Sequence, residues 1–216
     1  MSERSTVVTD EHFRYVAAHT TPEGEFLKAL KRAAEAAGIP PIWIAPEQGA
    51  FMQVLLRLSQ AREVVEIGTL AGYSAIVMAR ALPPGGHVRT IEIDERRADF
   101  AKAWAAKSDV ADRIVVYHGA GKDVLPGIAA NSADAAFLDA DKASYPLYLR
   151  ECRRIVRRGG LIMIDNAFAF GQLFDEQPTD REASAVRAFN EHIATVPDLQ
   201  SVIVPLGDGL WVSVKV

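Results

Sequence analysis

Only one cysteine, Cys152, occurs in the chain, so no internal disulfide can form. That excludes the stapled framework of a small secreted domain and makes a cytoplasmic location the expectation. No apolar run reaches the ~18 residues that a membrane-spanning helix needs. The start, Met1 to Asp10, lacks the basic residues and apolar middle of a signal peptide. Positive charge is also short: 24 Lys and Arg against 28 Asp and Glu leave a formal net charge of −4, which argues against non-specific coating of nucleic acid. The five histidines, His12, His19, His87, His118 and His192, are scattered, and no Cys or His cluster gives a zinc site. Internal repeats and low-complexity stretches are missing too. What is there is an ordinary globular composition, 49% hydrophobic and 24% charged, over 216 residues. This suffices for a single domain spanning 1–216 and is short for two.

Residues 1–20 show no clear periodicity and are expected to form an arm, mobile or packed on a partner. N-terminal helices should fill 21–60: Thr21 can cap the first, Pro22 suits its first turn and Gly38 can close it. Pro46 opens the second, with Phe51, Met52, Leu55, Leu56 and Leu58. From residue 62 the pattern becomes strand, loop, helix, repeated. Strands are predicted at Glu63 to Ile67, His87 to Ile93, Arg113 to Tyr117, Ala133 to Leu138 and Leu161 to Ile164. Helices are predicted from Tyr73 to Leu82, Glu95 to Lys107 and Tyr145 to Arg157. Thr179-Asp180-Arg181-Glu182 reads as a capping box opening a helix through Ile193. Ser201 to Leu206 and Leu210 to Val216 flank Gly207-Asp208-Gly209, a hairpin signature. The expected fold is therefore α/β, a doubly wound, mostly parallel sheet ending in an antiparallel hairpin. Ligands of such sheets bind beyond the carboxyl ends of the strands.

After the first strand comes Glu66-Ile67-Gly68-Thr69-Leu70-Ala71-Gly72-Tyr73-Ser74. It is neither the dinucleotide G-x-G-x-x-G nor a P-loop, because Leu70 takes the middle glycine position and no Gly-Lys-Ser/Thr follows. An adenosine ligand without a phosphate cradle fits better. Glu92, ending the second strand, lies where a carboxylate can accept both ribose hydroxyls. The small loop Gly119-Ala120-Gly121 can border an adenine ring. Strand four ends in Asp139-Ala140-Asp141-Lys142 and strand five in Asp165-Asn166. If these strands are parallel neighbours, two carboxylates and an amide oxygen meet at one edge, an oxygen set suited to Mg²⁺. Two buried acids side by side repel, which itself argues for a cation between them. Asp141 reads as a solvated acid or a cap. Lys142, three residues past Asp139, is within reach of a reacting oxygen and is the candidate general base. Alone, a lysine opening a helix would read as a surface residue.

Together Glu66-Ile-Gly-Thr-Leu-Ala-Gly-Tyr-Ser74, Thr90-Ile-Glu-Ile-Asp94, Phe137-Leu-Asp-Ala-Asp-Lys142 and Asp165-Asn166 resemble the cation-dependent O-methyltransferases, the family of catechol and caffeoyl-CoA methyltransferases and their small bacterial relatives. The similarity runs from Pro46 to the C-terminus and includes Pro46-Glu47-Gln48-Gly49 and Pro205-Leu-Gly-Asp-Gly209. The resemblance implies a seven-stranded sheet with the last strand antiparallel, in a homodimer. It implies S-adenosyl-L-methionine held by Glu66, Gly68, Thr69, Ser74, Glu92, Gly121 and Asp139, with a backbone contact at Ile44. It implies a divalent cation such as Mg²⁺ on Asp139, Asp165 and Asn166, with Asp139 and Lys142 in the catalytic role. The implied substrate is a small aromatic molecule with two adjacent hydroxyls, chelated by the metal so that an oxyanion attacks the sulfonium methyl in line. Where many bacterial relatives carry tryptophan this chain has Ala169, and Phe168, Phe170 and Phe174 are the candidate aromatic wall over a ring.

A second reading keeps the cofactor and changes the substrate to a hydroxylated uridine in tRNA. Arg150, Arg153, Arg154, Arg157 and Arg158 fall at helical spacing on one face, and such a stripe can bind phosphates. A third reading, a non-methyltransferase protein that binds an adenosine cofactor, does not need the paired acids.

Overall fold

The computed structural model describes residues 6–216. The polar start Met1 to Ser5 lies outside the described residues. Among these, the chain runs α1 (Asp10–His19), α2 (Glu25–Ala36), α3 (Pro46–Leu58), β1 (Glu63–Ile67), α4 (Tyr73–Ala79), β2 (His87–Glu92), α5 (Glu95–Ala105), β3 (Ile114–His118) and the single turn α6 (Gly121–Val124). It continues through β4 (Ala133–Leu138), α7 (Tyr145–Ile155), β5 (Val156–Ile164), α8 (Ala183–Ala194), β6 (Leu199–Val204) and β7 (Leu210–Lys215).

The seven strands form one sheet in the order β3-β2-β1-β4-β5-β7-β6. β1 to β5 are parallel, and β7 runs antiparallel to both β5 and β6. Alternation within the central strands explains why both faces are covered. Val64, Ala135, Phe137, Leu161 and Met163 point into a core shared with α2, α3 and α4, while Val65, Ala136, Leu138, Ile162 and Ile164 point into a second core shared with α7 and α8. Strands apolar on both faces are what a parallel sheet wrapped by helices demands. No helix among the described residues is long and apolar enough to cross a membrane.

The stretch 10–19, within the expected arm, is helical as α1 and has no buried residue. Three expectations are corrected. Thr21 and Pro22 do not open the next helix, since α2 begins at Glu25 with Gly24 at its N-cap. The helix before β5 stops at Ile155 rather than Arg157, because Val156 turns extended and pairs with Ala133. Arg157 and Arg158 therefore lie on a strand. The predicted capping box does not cap: α8 begins only at Ala183, while the Thr179 backbone and hydroxyl both donate to Gln172 Oε1.

Register brings the site together. Ile67 pairs with Ile91 on one side and Leu138 on the other, and Leu138 pairs with Ile164. The ladder continues past the strand ends, through Gly68 N to Ile91 O at 3.0 Å, Asp139 N to Ile67 O at 2.9 Å and Asp165 N to Leu138 O at 3.0 Å. The residues that follow β1, β4 and β5 are thereby fixed at one edge.

Candidate active site

That edge floors a cavity of about 1130 Å³. One end is built by the turn after β1. Gly68 has φ +100°, and a Cβ there would lie 1.7 Å from the Asp139 carbonyl oxygen. Only glycine lets these two loops approach so closely. Leu70, itself left-handed at φ 50°, is held by its N–H donating to Glu92 Oε2 at 2.8 Å. The other Glu92 oxygen accepts from Asp94 N at 3.0 Å. Glu92 is thus anchored at the end of β2 with lone pairs to spare, since a carboxylate offers about four acceptor sites.

Of the residues expected to hold the cofactor, Ile44, Gly68, Thr69, Ser74, Glu92, Gly121 and Asp139 all line the cavity. Glu66 is the exception. It is fully buried, does not line the cavity, and neither carboxyl oxygen has a hydrogen-bond partner. Burial pushes its pKa up to about 8.

At the other end Asp139, Asp165, Asn166 and Lys142 line the same cavity. Lys142 is buried, contrary to what a helix-opening lysine alone suggests. Its Nζ donates to Asp139 Oδ1 at 2.9 Å and to the Tyr145 hydroxyl at 2.7 Å. Burial and the surrounding carboxylates, Asp139 and Asp165 first, push the Tyr145 phenol well above its ordinary range, so this hydroxyl stays protonated. Asp165 is pushed up to about 7 by burial and then by the Asp139 charge. Two carboxylates side by side and an adjacent amide oxygen fit a hard dication. No group of three or more His, Cys, Asp or Glu among the described residues is arranged to hold a metal, so the mixed carboxylate–amide set is the one on offer.

Asp141 is exposed, caps a turn through its backbone oxygen and accepts from the Tyr148 hydroxyl at 3.0 Å, in keeping with the solvated-acid reading. The aromatic wall shrinks to one ring: Phe170 lines the cavity, Phe168 packs against Gly209, and Phe174 is 92% exposed. Gln48 and Asp208 also line the cavity, and sequence reasoning gave neither a role. The signal for Gln48 was available, a polar residue one helical turn from Met52 and two from Leu56, all three on the buried face of α3.

Three of the five arginines of the stripe are held in ion pairs. Arg153 binds Asp198, Arg157 binds Asp134, and Arg154 binds Glu151 together with the carbonyls of Ile128 and Leu125.

Residues 17–216 match the O-methyltransferase family. A catechol O-methyltransferase of Niastella koreensis is 37% identical over 171 residues, 78% of this chain and 77% of its own. A catechol O-methyltransferase of Mycobacterium tuberculosis is 36% identical over 178 residues, 82% of this chain and 80% of its own. Among solved structures, an O-methyltransferase from Bacillus cereus in complex with SAH superposes with a TM-score of 0.85 at 32% identity, covering 94% of this chain and 96% of that one.

Proposed function

The chain belongs to the O-methyltransferase family, and we propose that it moves a methyl group from S-adenosylmethionine to one hydroxyl of a small vicinal dihydroxy aromatic, assisted by a divalent cation. The observation that carries this reading is that one cavity holds both ends of the chemistry. The glycine turn and Glu92 line one end, and Asp139, Asp165, Asn166 and Lys142 line the other.

The cofactor, when bound, supplies an electrophilic methyl. The chain's part is to fix it: Glu92 takes the ribose hydroxyls, the Gly68 turn lets the backbone approach, and the Gly119–Gly121 loop borders the base. SAH in the Bacillus cereus relative supports this choice of ligand. The ion, when bound by Asp139, Asp165 and Asn166, supplies charge that orients a diol and eases loss of a proton. Lys142, as the neutral amine, would take that proton at Nζ. Phe170 offers a ring face at the cavity wall.

Glu92→Ala should weaken S-adenosylmethionine or SAH binding by ~1.5–3 kcal/mol, the scale of lost charge-assisted hydrogen bonds. Calorimetry checks this, and unchanged affinity would remove Glu92 from the cofactor site.

Two neighbouring oxygens and the apolar ring face favour a free catechol over tRNA, as do the names of the relatives. Three of the five arginines that would serve RNA, Arg153, Arg154 and Arg157, are already engaged with acids of the same chain. Radiolabelled methyl transfer should therefore be measurable on a simple catechol and small on monophenols, which lose one of two positioning contacts. Arg153→Ala with Arg157→Ala should leave catechol turnover nearly unchanged. An enzyme that ignores catechols and methylates hypomodified tRNA, with those arginine changes reducing the activity, would overturn this substrate class.

A further inference from the structure

Two motifs in the sequence, Pro46-Glu47-Gln48-Gly49 and Pro205-Leu-Gly-Asp-Gly209, have no part in the chemistry above, yet both end beside the acidic pair. Gln48 is buried in the first turn of α3, and its Nε2 donates to Asp165 Oδ1 at 2.8 Å. The tip of the β6–β7 hairpin presses on the same amide. A Cβ on Gly207, where φ is +58°, would lie 2.1 Å from Gln48 Oε1. One residue on, the Asp208 carboxylate collects three donors: Asn166 Nδ2 at 3.1 Å, Phe170 N at 2.8 Å and Gly171 N at 3.2 Å. Backbone pairing of Ala167 N with Gly209 O and of Phe168 N with Asp208 O completes the clamp. Within this loop Asn166, Ala169 and Phe170 all have positive φ, at 65°, 54° and 59°. Such backbone persists only where surrounding contacts over-determine it.

We propose that Gln48 and Asp208 are positioning residues that preset the donor atoms of Asp165 and Asn166 for a divalent cation. The inference rests on the cation reading above and adds an outer layer to it. The chemistry is one of donor and acceptor capacity. An ionised carboxylate only accepts, so Asp208 forces the Asn166 amide to turn its NH₂ toward the hairpin, and the carbonyl oxygen is left for the ion. Gln48 occupies one oxygen of Asp165 with a donor, so the second oxygen is the one that faces a ligand. Partners of this kind orient ligating groups, and losing one typically costs ~10- to 100-fold in metal affinity.

The test is Mn²⁺ titrated into the purified full-length chain without substrate, with free ion read by electron paramagnetic resonance. Asp208→Asn keeps an oxygen for the Phe170 and Gly171 amides but can also donate, so it no longer dictates the orientation of Asn166. It should weaken Mn²⁺ binding ~10- to 100-fold while SAH affinity stays within about twofold of wild type. Gln48→Met, similar in volume but without a donor, should weaken Mn²⁺ binding comparably. Raising Mn²⁺ should restore catechol turnover in Asp208→Asn, since the defect lies in loading. A purely structural clamp would leave Asp208→Asn like wild type. Wild-type Mn²⁺ affinity in both variants overturns this inference alone; a wild-type chain that binds no Mn²⁺ overturns the cation reading and this inference with it.

Discussion

Lys142→Ala is expected to lower kcat by ~10²–10⁴, the range typical of a lost general base, with cofactor affinity close to wild type. The side chain is buried at the cavity floor, where Asp139 and Tyr145 hold two directions of its Nζ and leave the amine facing the space it lines. Tyr145, the other group at this position able to exchange a proton, is unsuited to the task because burial and its acidic neighbours keep its phenol protonated. Single-turnover rates across pH, with calorimetry for SAH, separate the roles. A slow chemical step with an altered pH–rate profile and intact binding fits the base. Near-normal kcat with an unchanged profile would reduce Lys142 to an ion-pair partner of Asp139.

The central strands were legible because their signal is local. Glu63 to Ile67 and Ala133 to Leu138 are short apolar runs between turns, and their observed bounds coincide with those expected. The candidate chemistry was legible for a related reason: in a parallel sheet, residues that follow strands share one edge, so Gly68, Asp139 and Asp165 could be placed together before any contact was known. What escaped depends on partners distant in sequence. Val156 turns extended because Ala133 offers a strand to pair with, which no helical periodicity in 145–157 reveals. Thr179 has the chemistry of a cap, yet Gln172 claims it. The five arginines look like one stripe until Asp134 and Asp198, from other parts of the chain, take Arg157 and Arg153 away. Gln48 meets Asp165 across 117 positions of sequence, and Asp208 meets Asn166 across 42. Glu66 is fully buried and is not among the residues that line the cavity.

Asp165 carries the other large effect. It is nearly fully buried beside Asp139, and its carboxylate, with Asn166, belongs to the set that would hold the ion. Asp165→Ala should abolish measurable turnover while the chain remains folded, because the substitution also removes an acid that is costly to bury. Circular dichroism and SAH binding report the fold. The most direct measurement of the whole account is methyl transfer from S-adenosylmethionine to a simple catechol in excess chelator, followed by addition of Mg²⁺. The account predicts that chelator stops transfer and Mg²⁺ restores it in the wild-type chain, with no restoration in Asp165→Ala. Full transfer in the presence of excess chelator would contradict it.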